Sequence, residues 1–323
     1  MKSRRAPSGV LRSRRGIALL MVLWVLVMLS IISLSFVSQM RLNTAGTRNL
    51  KDETVAYYLA VSGYNEAVRY ILADKDPSVD FIDAEGRFWN DSTADESPSG
   101  VRTTSEGEVE IRIIDENAKL NINSANSEQL VRLLEGAGVP VEAMNTLIDS
   151  MLDWKDADTE HHLSGAEEDY YGGLADPYPA KNAGFDVPEE LALVKGIGPD
   201  SLISPETART IMRHVTTFGT NSLNINTASP ELMRLLGMND FEIEAVLKQR
   251  TREIGGFRFI PPQFSSYGFN AVMTSTLRIE VTARVPNSPL AARVVAVVSR
   301  MPDPDGLKVH TLYWSEHVES VRS

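Results

Sequence analysis

The sequence predicts an α+β fold in which a long N-terminal helix packs on an antiparallel sheet, and the sheet is interrupted by a large helical insertion. Three observations lead to this prediction. An apolar run near the N-terminus continues into an amphipathic helical pattern. Segments with a two-residue hydrophobic period lie near residue 110 and again after residue 276. An internal repeat of Asn-rich motifs marks the mainly helical region between them.

The N-terminal segment predicts a membrane-spanning helix. Residues 17–37 contain no charged residue. At about 1.5 Å per residue they extend about 31 Å, enough to cross a hydrocarbon core of about 30 Å. Six basic residues precede the segment and only Arg41 follows it closely. This asymmetry predicts a cytoplasmic N-terminus and places residues 38–323 outside the membrane, in the periplasm of a Gram-negative cell.

Three interpretations of this segment compete. A cleaved secretory signal has a shorter apolar core and a small-residue cleavage site after it, which the sequence lacks. A plain signal anchor fits the pattern. The third interpretation rests on Gly16, which lies between the basic leader, residues 1–16, and the apolar run. Here the sequence resembles type IV pilin and pseudopilin leaders, and the resemblance implies cleavage after Gly16 and N-methylation of Ile17.

One position departs from most pilin-like proteins. Their fifth mature residue is Glu, which pairs with the N-terminal amine of a neighbouring subunit, whereas this chain has Met21 there. Because an apolar side chain cannot neutralise a buried amine, we expect that the subunit does not add beneath another in the usual way. In this respect the chain resembles type II secretion system protein K, the pseudopilin at the tip.

The rest of the chain predicts a stem helix and a sheet. Apolar residues recur at helical spacings and no proline intervenes before Pro77, so the stem helix is predicted over 38–73. An Asp-, Ser-, Pro- and Gly-rich stretch, 74–107, predicts a connecting loop. Half-polar alternating segments predict an antiparallel sheet in a domain formed by residues 74–115 and 274–323. Its strands are expected at 108–114, 277–285, 291–300 and 307–315.

An internal repeat organises the insertion. The motif Leu-Asn-Ile-Asn begins at Leu120 and again at Leu223. Each copy precedes a helix predicted to begin near Ser127 or Pro230, and Asn, Ser and Thr side chains are the usual caps of such helices. The repeat predicts an inserted helical domain over 116–220, which contains an acidic loop, and a second helical repeat unit over 221–273. Both are expected to be interaction or spacer modules.

The acidic loop predicts a metal site. Between residues 152 and 190 the chain carries eleven Asp or Glu against two Lys. Such a density is repulsive unless a cation neutralises it, and calcium takes six to eight oxygen ligands from irregular backbone. The candidate ligands are Asp153, Asp156, Asp158, Glu167, Asp169 and Asp176, with Glu168 in reserve.

Other interpretations of this loop remain open. A solvated acidic loop explains the composition equally well, and the spacing does not match an EF-hand. His161 and His162 also keep zinc as an alternative, although adjacent histidines point in different directions and rarely share one ion.

Longer motifs strengthen the resemblance to the protein K family. They are Asp153-Trp-x-Asp-x-Asp158, Gly165-Ala-Glu167, Pro177-Tyr178 with Asn182, and the Glu190–Gly196 segment. The resemblance implies a pilin-like domain with a large helical insertion similar to sterile-alpha-motif or helix-hairpin-helix modules, and bound structural calcium. It also implies a minor pseudopilin in the inner membrane, with a periplasmic C-terminal domain, that initiates or caps the pseudopilus for protein export across the outer membrane.

The same resemblance implies a set of partners. These are the I- and J-type minor pseudopilins, the major pseudopilin, the prepilin peptidase and the inner-membrane secretion platform. Nucleic acid is not among them. Apart from its basic leader, the chain carries 26 Lys and Arg against 43 Asp and Glu, a charge that repels phosphate backbones.

Two further classes of protein, DNA-uptake proteins and enzymes, fit the sequence less well. The Asn-Ile-Asn-Thr-Ala motif with Gly196-Ile-Gly198 also resembles the helix-hairpin-helix modules of membrane-anchored periplasmic DNA-uptake proteins. Residues 186–214, however, hold five acids against three Lys or Arg, the wrong sign for DNA. An enzyme is not expected. The sequence lacks cysteine, a Gly-x-Ser-x-Gly motif, a phosphate loop and a His-Glu-x-x-His motif.

Overall fold

The computed structural model describes residues 14–91, 97–304 and 306–320. The helices are α1 Arg14–Leu72, α2 Ser127–Gly136, α3 Val141–Lys155, α4 Glu168–Tyr171, α5 Pro205–Arg213, α6 Pro230–Leu235, α7 Asp240–Gln249 and α8 Pro262–Ser265. The strands are β1 Phe81–Ile82, β2 Phe88–Trp89, β3 Gly100–Thr103, β4 Glu108–Asp115, β5 Leu120–Asn121, β6 Val215–Thr216, β7 Thr276–Arg284, β8 Leu290–Asp303 and β9 Gly306–Ser320. The chain divides into two compact units, Met1–Val55 and Ala56–Ser323.

Helix α1 begins in the first unit, where its side chains are exposed. The large apolar residues from Leu19 to Val37 each expose about half of their surface or more, as a helix in lipid would. Among the described residues, α1 is the one helix long and apolar enough to cross a membrane. The predicted span 17–37 lies in it. Residues 1–13 of the predicted leader lie outside the described residues.

The second unit contains the predicted antiparallel sheet, with five strands in the order β3-β4-β7-β8-β9. The C-terminal part of α1 packs on the sheet through small residues, Ala56, Ala60 and Ala67, all fully buried. At Gly63 the approach is closer still, because a Cβ there would lie 2.8 Å from Val281 Cγ1. The α+β fold class is therefore confirmed, and α1 ends at Leu72, one residue before the predicted end.

The expectation of a loop over 74–107 is wrong in part. The segment contains the hairpin β1–β2, which buries Phe81 and Phe88, and the edge strand β3, which pairs antiparallel with β4. These strands have two, two and four residues, too short to show a hydrophobic period among the surrounding Asp, Gly and Ser. In contrast, β8 and β9 extend beyond their predicted ends, to 14 and 15 residues.

A buried ionic cluster joins the segment after α1 to the sheet. Arg300 of β8 donates to Asp74 Oδ2 at 2.5 Å and also to Asp80 Oδ2. Asp80 accepts in addition from the backbone N–H of Thr274 at 3.1 Å. Two buried carboxylates thus face one guanidinium, and burial raises the pKa of Asp80 to about 7 in spite of Arg300.

The insertion has its own hydrophobic core, distinct from the core between α1 and the sheet. Its two Asn-rich motifs precede helices that begin at Ser127 and Pro230, as predicted. Asn126 and Gln129 form a reciprocal capping box on α2, and Ser229 accepts from Leu232 N at the start of α6. Each motif also pairs in parallel with a later segment, β5 with β6 and Asn224 with Ala271.

Candidate metal centre

The end of α3 positions the first candidate ligands. Asp153 lies on the last turn of α3 and is fully buried. Asp156 caps the helix in an extended conformation, with φ −80° and ψ 173°, so the chain leaves α3 directly into the acidic loop. The loop returns at Glu167, which precedes α4 and is 2% exposed.

The structure brings four of the six predicted ligands together. Carboxylate oxygens of Asp156, Asp158 and Glu167 lie within 4.8 Å of one another. Ligand atoms of Asp153, Asp156 and His162 form a second group of the same size. Because Asp156 belongs to both groups, the two groups form one continuous cluster.

Several oxygens of this cluster are buried without a hydrogen-bond donor in the described part of the chain. They are Asp153 Oδ2, Asp156 Oδ1 and both Oε atoms of Glu167. None of the described Lys or Arg side chains forms an ion pair with these three residues or with Asp158. Buried carboxylate oxygens are normally paired or bound to metal, and carboxylate oxygens suit a hard divalent cation. The residues therefore fit a metal ion.

The pKa shifts of two carboxyl groups in the cluster also favour a bound cation. Burial raises the pKa of Glu167, and the charges of Asp153 and Asp156 raise it further. Burial also raises the pKa of Asp156, with the charges of Asp158 and Asp153 as the next causes. The neighbouring carboxylates thus oppose the ionisation of Glu167 and Asp156, and a bound cation would relieve this repulsion.

The two adjacent histidines contact different carboxylates, as their positions in sequence led us to expect. The ring of His162 forms a hydrogen bond with Asp153 Oδ1, which raises the pKa of His162. The ring of His161 lies 2.9 Å from Asp169 Oδ1. Only His162 therefore joins the cluster.

The structure does not bring the other two predicted ligands into the cluster. The side chain of Asp169 is 75% exposed and pairs with His161. Asp176 is exposed and belongs to neither group of ligand atoms found among the described residues. Glu168, the reserve candidate, instead accepts from Ala180 N at 2.8 Å and holds the returning part of the loop.

Two uncharged residues also belong to the site. Asn182, at φ +46°, donates from Nδ2 to the carbonyl of Asp158 at 2.9 Å, and its Oδ1 is buried without a partner. Gly165 leaves room for the cluster, because a Cβ there would collide with Asp153 Oδ2. Neither feature carries a charge, so an analysis of acidic composition could not find them.

The loop is also attached to the core of the insertion. Trp154 meets the fully buried Tyr171 edge to face, with ring centroids 5.1 Å apart. Lys195 Nζ donates to the carbonyl of Gly165 at 2.9 Å and lies 4.9 Å from the ring centroid of Tyr170. The cluster therefore lies beside an aromatic core that excludes water on one side.

The membrane segment contains the predicted processing and assembly residues. Gly16 and Ile17 lie in α1, and the side chain of Ile17 is outside the described part. The side chain of Met21 is 60% exposed, as are its neighbours on this part of α1. It is thus available to a neighbouring subunit or to lipid.

The glycine turn that resembles a helix-hairpin-helix module does not offer its amides to a ligand. Gly196 N donates to the carbonyl of Pro199 at 2.8 Å. Ile197 N and Gly198 N both donate to the carbonyl of Val194. Phosphate binding by such a turn requires free N–H groups, so this geometry does not favour the DNA-binding alternative.

Comparison with known proteins finds one matching family model and several relatives. The model of "Type II secretion system (T2SS), protein K" matches residues 109–217. Type II secretion system protein K of Pseudomonas aeruginosa is 26% identical over 258 residues, 75% of this chain and 74% of the relative. The Aeromonas hydrophila protein is 28% identical over 248 residues, 70% of each chain.

A solved structure has the same fold. A chain in the crystal structure of the GspK-GspI-GspJ complex from the enterotoxigenic Escherichia coli type 2 secretion system matches with a TM-score of 0.62. The match covers 84% of this chain and 99% of that one at 17% sequence identity. Together with the motifs of the acidic loop, these likenesses confirm the resemblance expected from the sequence: residues 109–217 match the protein K family model, and the chain is similar to type II secretion system protein K over 70–75% of its length.

Proposed function

We propose that this chain is the tip subunit of the pseudopilus, a minor pseudopilin that joins I- and J-type minor pseudopilins and initiates or caps the fibre. The supporting observation is the shared fold with a chain of the GspK-GspI-GspJ complex over 84% of this protein. The role is structural rather than catalytic. It requires the major pseudopilin and the inner-membrane platform as further partners, with α1 as the single membrane anchor.

Met21 supports the outermost position. A subunit that adds beneath another uses a carboxylate at this place to neutralise the N-terminal amine above it, and an exposed methionine cannot do so. The first subunit of a fibre has no subunit above it and needs no such carboxylate. The absence of a carboxylate at position 21 therefore suits the outermost subunit of the fibre.

Complementation of a strain that lacks its own protein K tests this role. The wild-type chain should restore secretion and co-purify with the I- and J-type subunits, and Met21→Leu should behave like it. Met21→Glu should lower secretion, because it places an unpaired carboxylate in the membrane at the tip. Full secretion with Met21→Glu would contradict the charge argument, and failure to co-purify would contradict the tip complex.

We also propose processing by a prepilin peptidase. Cleavage after Gly16 leaves Ile17 as the mature N-terminus, and α1 stays attached to the protein. The test is the intact mass of the membrane-extracted protein, expressed with and without the peptidase. A peptidase-dependent start at Ile17, heavier by one methyl group, is the expected result. An uncut chain would leave a plain signal anchor.

We propose further that the cluster binds calcium as a structural ion. Asp153, Asp156, Asp158 and Glu167 would hold it, and Asn182 would supply a neutral oxygen. When bound, the ion supplies positive charge that offsets carboxylate repulsion and ties the two ends of the acidic loop together. Zinc is the competing ion, because the imidazole of His162 belongs to the cluster.

Terbium luminescence tests the ion site, because Trp154 adjoins Asp153 and can sensitise a lanthanide bound there. Calcium should displace terbium from the full-length protein in detergent and should raise its Tm, since a ligand that binds only the folded state stabilises it. Asp176→Asn is the matched control and should bind as the wild type does. Preferential displacement by zinc, or no luminescence, would contradict the calcium site.

A further inference from the structure

The same set of hydrogen bonds joins each of the two Asn-rich motifs to a Phe later in the chain. In the first, Asn123 Nδ2 donates to the carbonyl of Phe185 at 2.9 Å, and Phe185 N donates back to Asn123 Oδ1 at 2.7 Å. In the second, Asn226 Nδ2 donates to the carbonyl of Phe257, and Phe257 N donates back to Asn226 Oδ1, both at 2.8 Å. A glycine precedes each Phe, and in both cases a Cβ would press on the Asn side chain.

A basic residue completes each set. Lys155, the last residue of α3, donates from Nζ to the carbonyl of Ile122 at 3.1 Å. Arg250, the residue that caps α7, donates to the carbonyl of Ile225. Ile122 and Ile225 occupy the same place in the two Leu-Asn-Ile-Asn motifs. Lys155 and Arg250 are therefore equivalent positions, although nothing in their local sequence shows it.

This equivalence shows where the acidic loop lies within the repeat. Each repeat, from its Leu-Asn-Ile-Asn motif to its Gly-Phe pair, is called a module. In the second module, five residues, Thr251–Gly255, connect Arg250 to the closing Gly-Phe pair. In the first module, residues 156–183 make the same connection between Lys155 and its Gly-Phe pair. The two residues that precede Lys155 and Arg250 also differ between the modules. The first module has Asp153 and Trp154 where the second has Lys248 and Gln249.

We infer that residues 156–183 form a cassette inserted into one of two equivalent modules, and that the cation orders this cassette rather than the modules. This inference rests on the cation binding proposed above. Apart from Asp153, every carboxylate of the cluster lies in the cassette. The fastening bonds of Asn123 and Lys155, in contrast, reach groups outside it, namely Phe185 and Ile122.

The ion would thereby control one surface of the insertion. The cassette includes Leu163, which is fully exposed between His162 and Ser164. His162 N and Ser164 N donate to Asp153 and Asp149 of α3, so the turn that carries Leu163 depends on the same carboxylate as the cluster. Without an ion, repulsion between Asp153 and the cassette carboxylates would release this turn.

Hydrogen exchange of the full-length protein in detergent, in calcium and in chelator, tests the inference. Chelation should raise exchange by about tenfold or more within residues 156–183, as expected for local opening, and should leave α2, α6 and α7 unchanged. A comparable rise in α2 or α7 would overturn the inference. If the wild type shows neither a calcium-dependent Tm nor terbium luminescence, the cation proposal fails instead.

A chimera tests the equivalence of the modules without any ion. Residues 153–183 are replaced by the sequence of Lys248–Gly255, which supplies the matching Lys-Gln-Arg end and the short connection. The chimera should melt cooperatively in chelator and show no Tm shift with calcium. Loss of the cooperative transition in the chimera, while chelated wild type retains it, would overturn the equivalence.

Discussion

The side chain of Asn226 should contribute more to the free energy of unfolding than the side chain of its counterpart, Asn123. Asn226 is fully buried and makes three hydrogen bonds to backbone groups of Phe257 and Val272, of 2.8, 2.8 and 3.0 Å. Asn226→Ala removes all three and leaves the backbone groups without partners. At about 1 kcal/mol per lost bond, with a further penalty for buried unpaired groups, the cost is about 3–5 kcal/mol.

For a domain of this size the corresponding fall in Tm is about 8–15 °C. Asn123→Ala is the matched control, because it breaks the equivalent pair of bonds to Phe185, and a longer bond of 3.4 Å to the carbonyl of Thr217, at a half-buried position where water can substitute. Its Tm should fall by about half as much. Thermal melts of the full-length protein in detergent, followed by circular dichroism, measure both. Equal losses in the two variants, or a fall of less than about 2 °C for Asn226→Ala, would refute this account.

Three further predictions follow from the buried groups. Asp153→Asn should weaken calcium binding by about tenfold or more in calorimetry, whereas Asp169→Asn should leave it unchanged; equal weakening would contradict the ligand assignment. Asp80 has a folded pKa of about 7 against an ordinary 3.8, so between these values it takes up a proton on folding, and its contribution to stability is lost as pH rises through this range. Urea unfolding should therefore show less loss of stability from pH 5 to 8 in Asp80→Asn than in the wild type, and parallel pH profiles would count against this. Gly256→Ala should lower Tm, because φ is +80° and the new Cβ would lie 3.1 Å from Asn226; an unchanged Tm would mean that this turn relaxes freely.

The sequence predicted those helices and strands in which a regular hydrophobic pattern continues over many residues. The strands β4 and β7 alternate over eight residues or more, and α1 has an uninterrupted helical pattern. The strands β1 and β2 escaped prediction because burial of single residues such as Phe88, rather than alternation, holds them in place. The strand β3 has no buried residue and is held by its pairing with β4. Pairing with a strand already formed makes such short segments stable.

The candidate site was predictable in composition but not in geometry. Asp153, Asp156 and Asp158 lie close in sequence at the end of one helix, so their meeting requires only a local turn. Glu167 and Asp169 are two residues apart, and sequence alone could not show that only the first turns inward. That choice depends on the packing of α4 through Tyr171, a tertiary contact.

The register of the sheet bears on how such a subunit can be constructed. Asp115 at the end of β4 pairs directly with Leu277 at the start of β7, so the chain leaves and re-enters the sheet between two hydrogen-bonded neighbours. The intervening 161 residues therefore impose no separation on the strands they connect, and a tight turn could in principle take their place. A small fibre-forming scaffold can in this way acquire a bulky head without any change in its own strand order. The size of the subunit at the tip and the packing along the shaft can then vary independently.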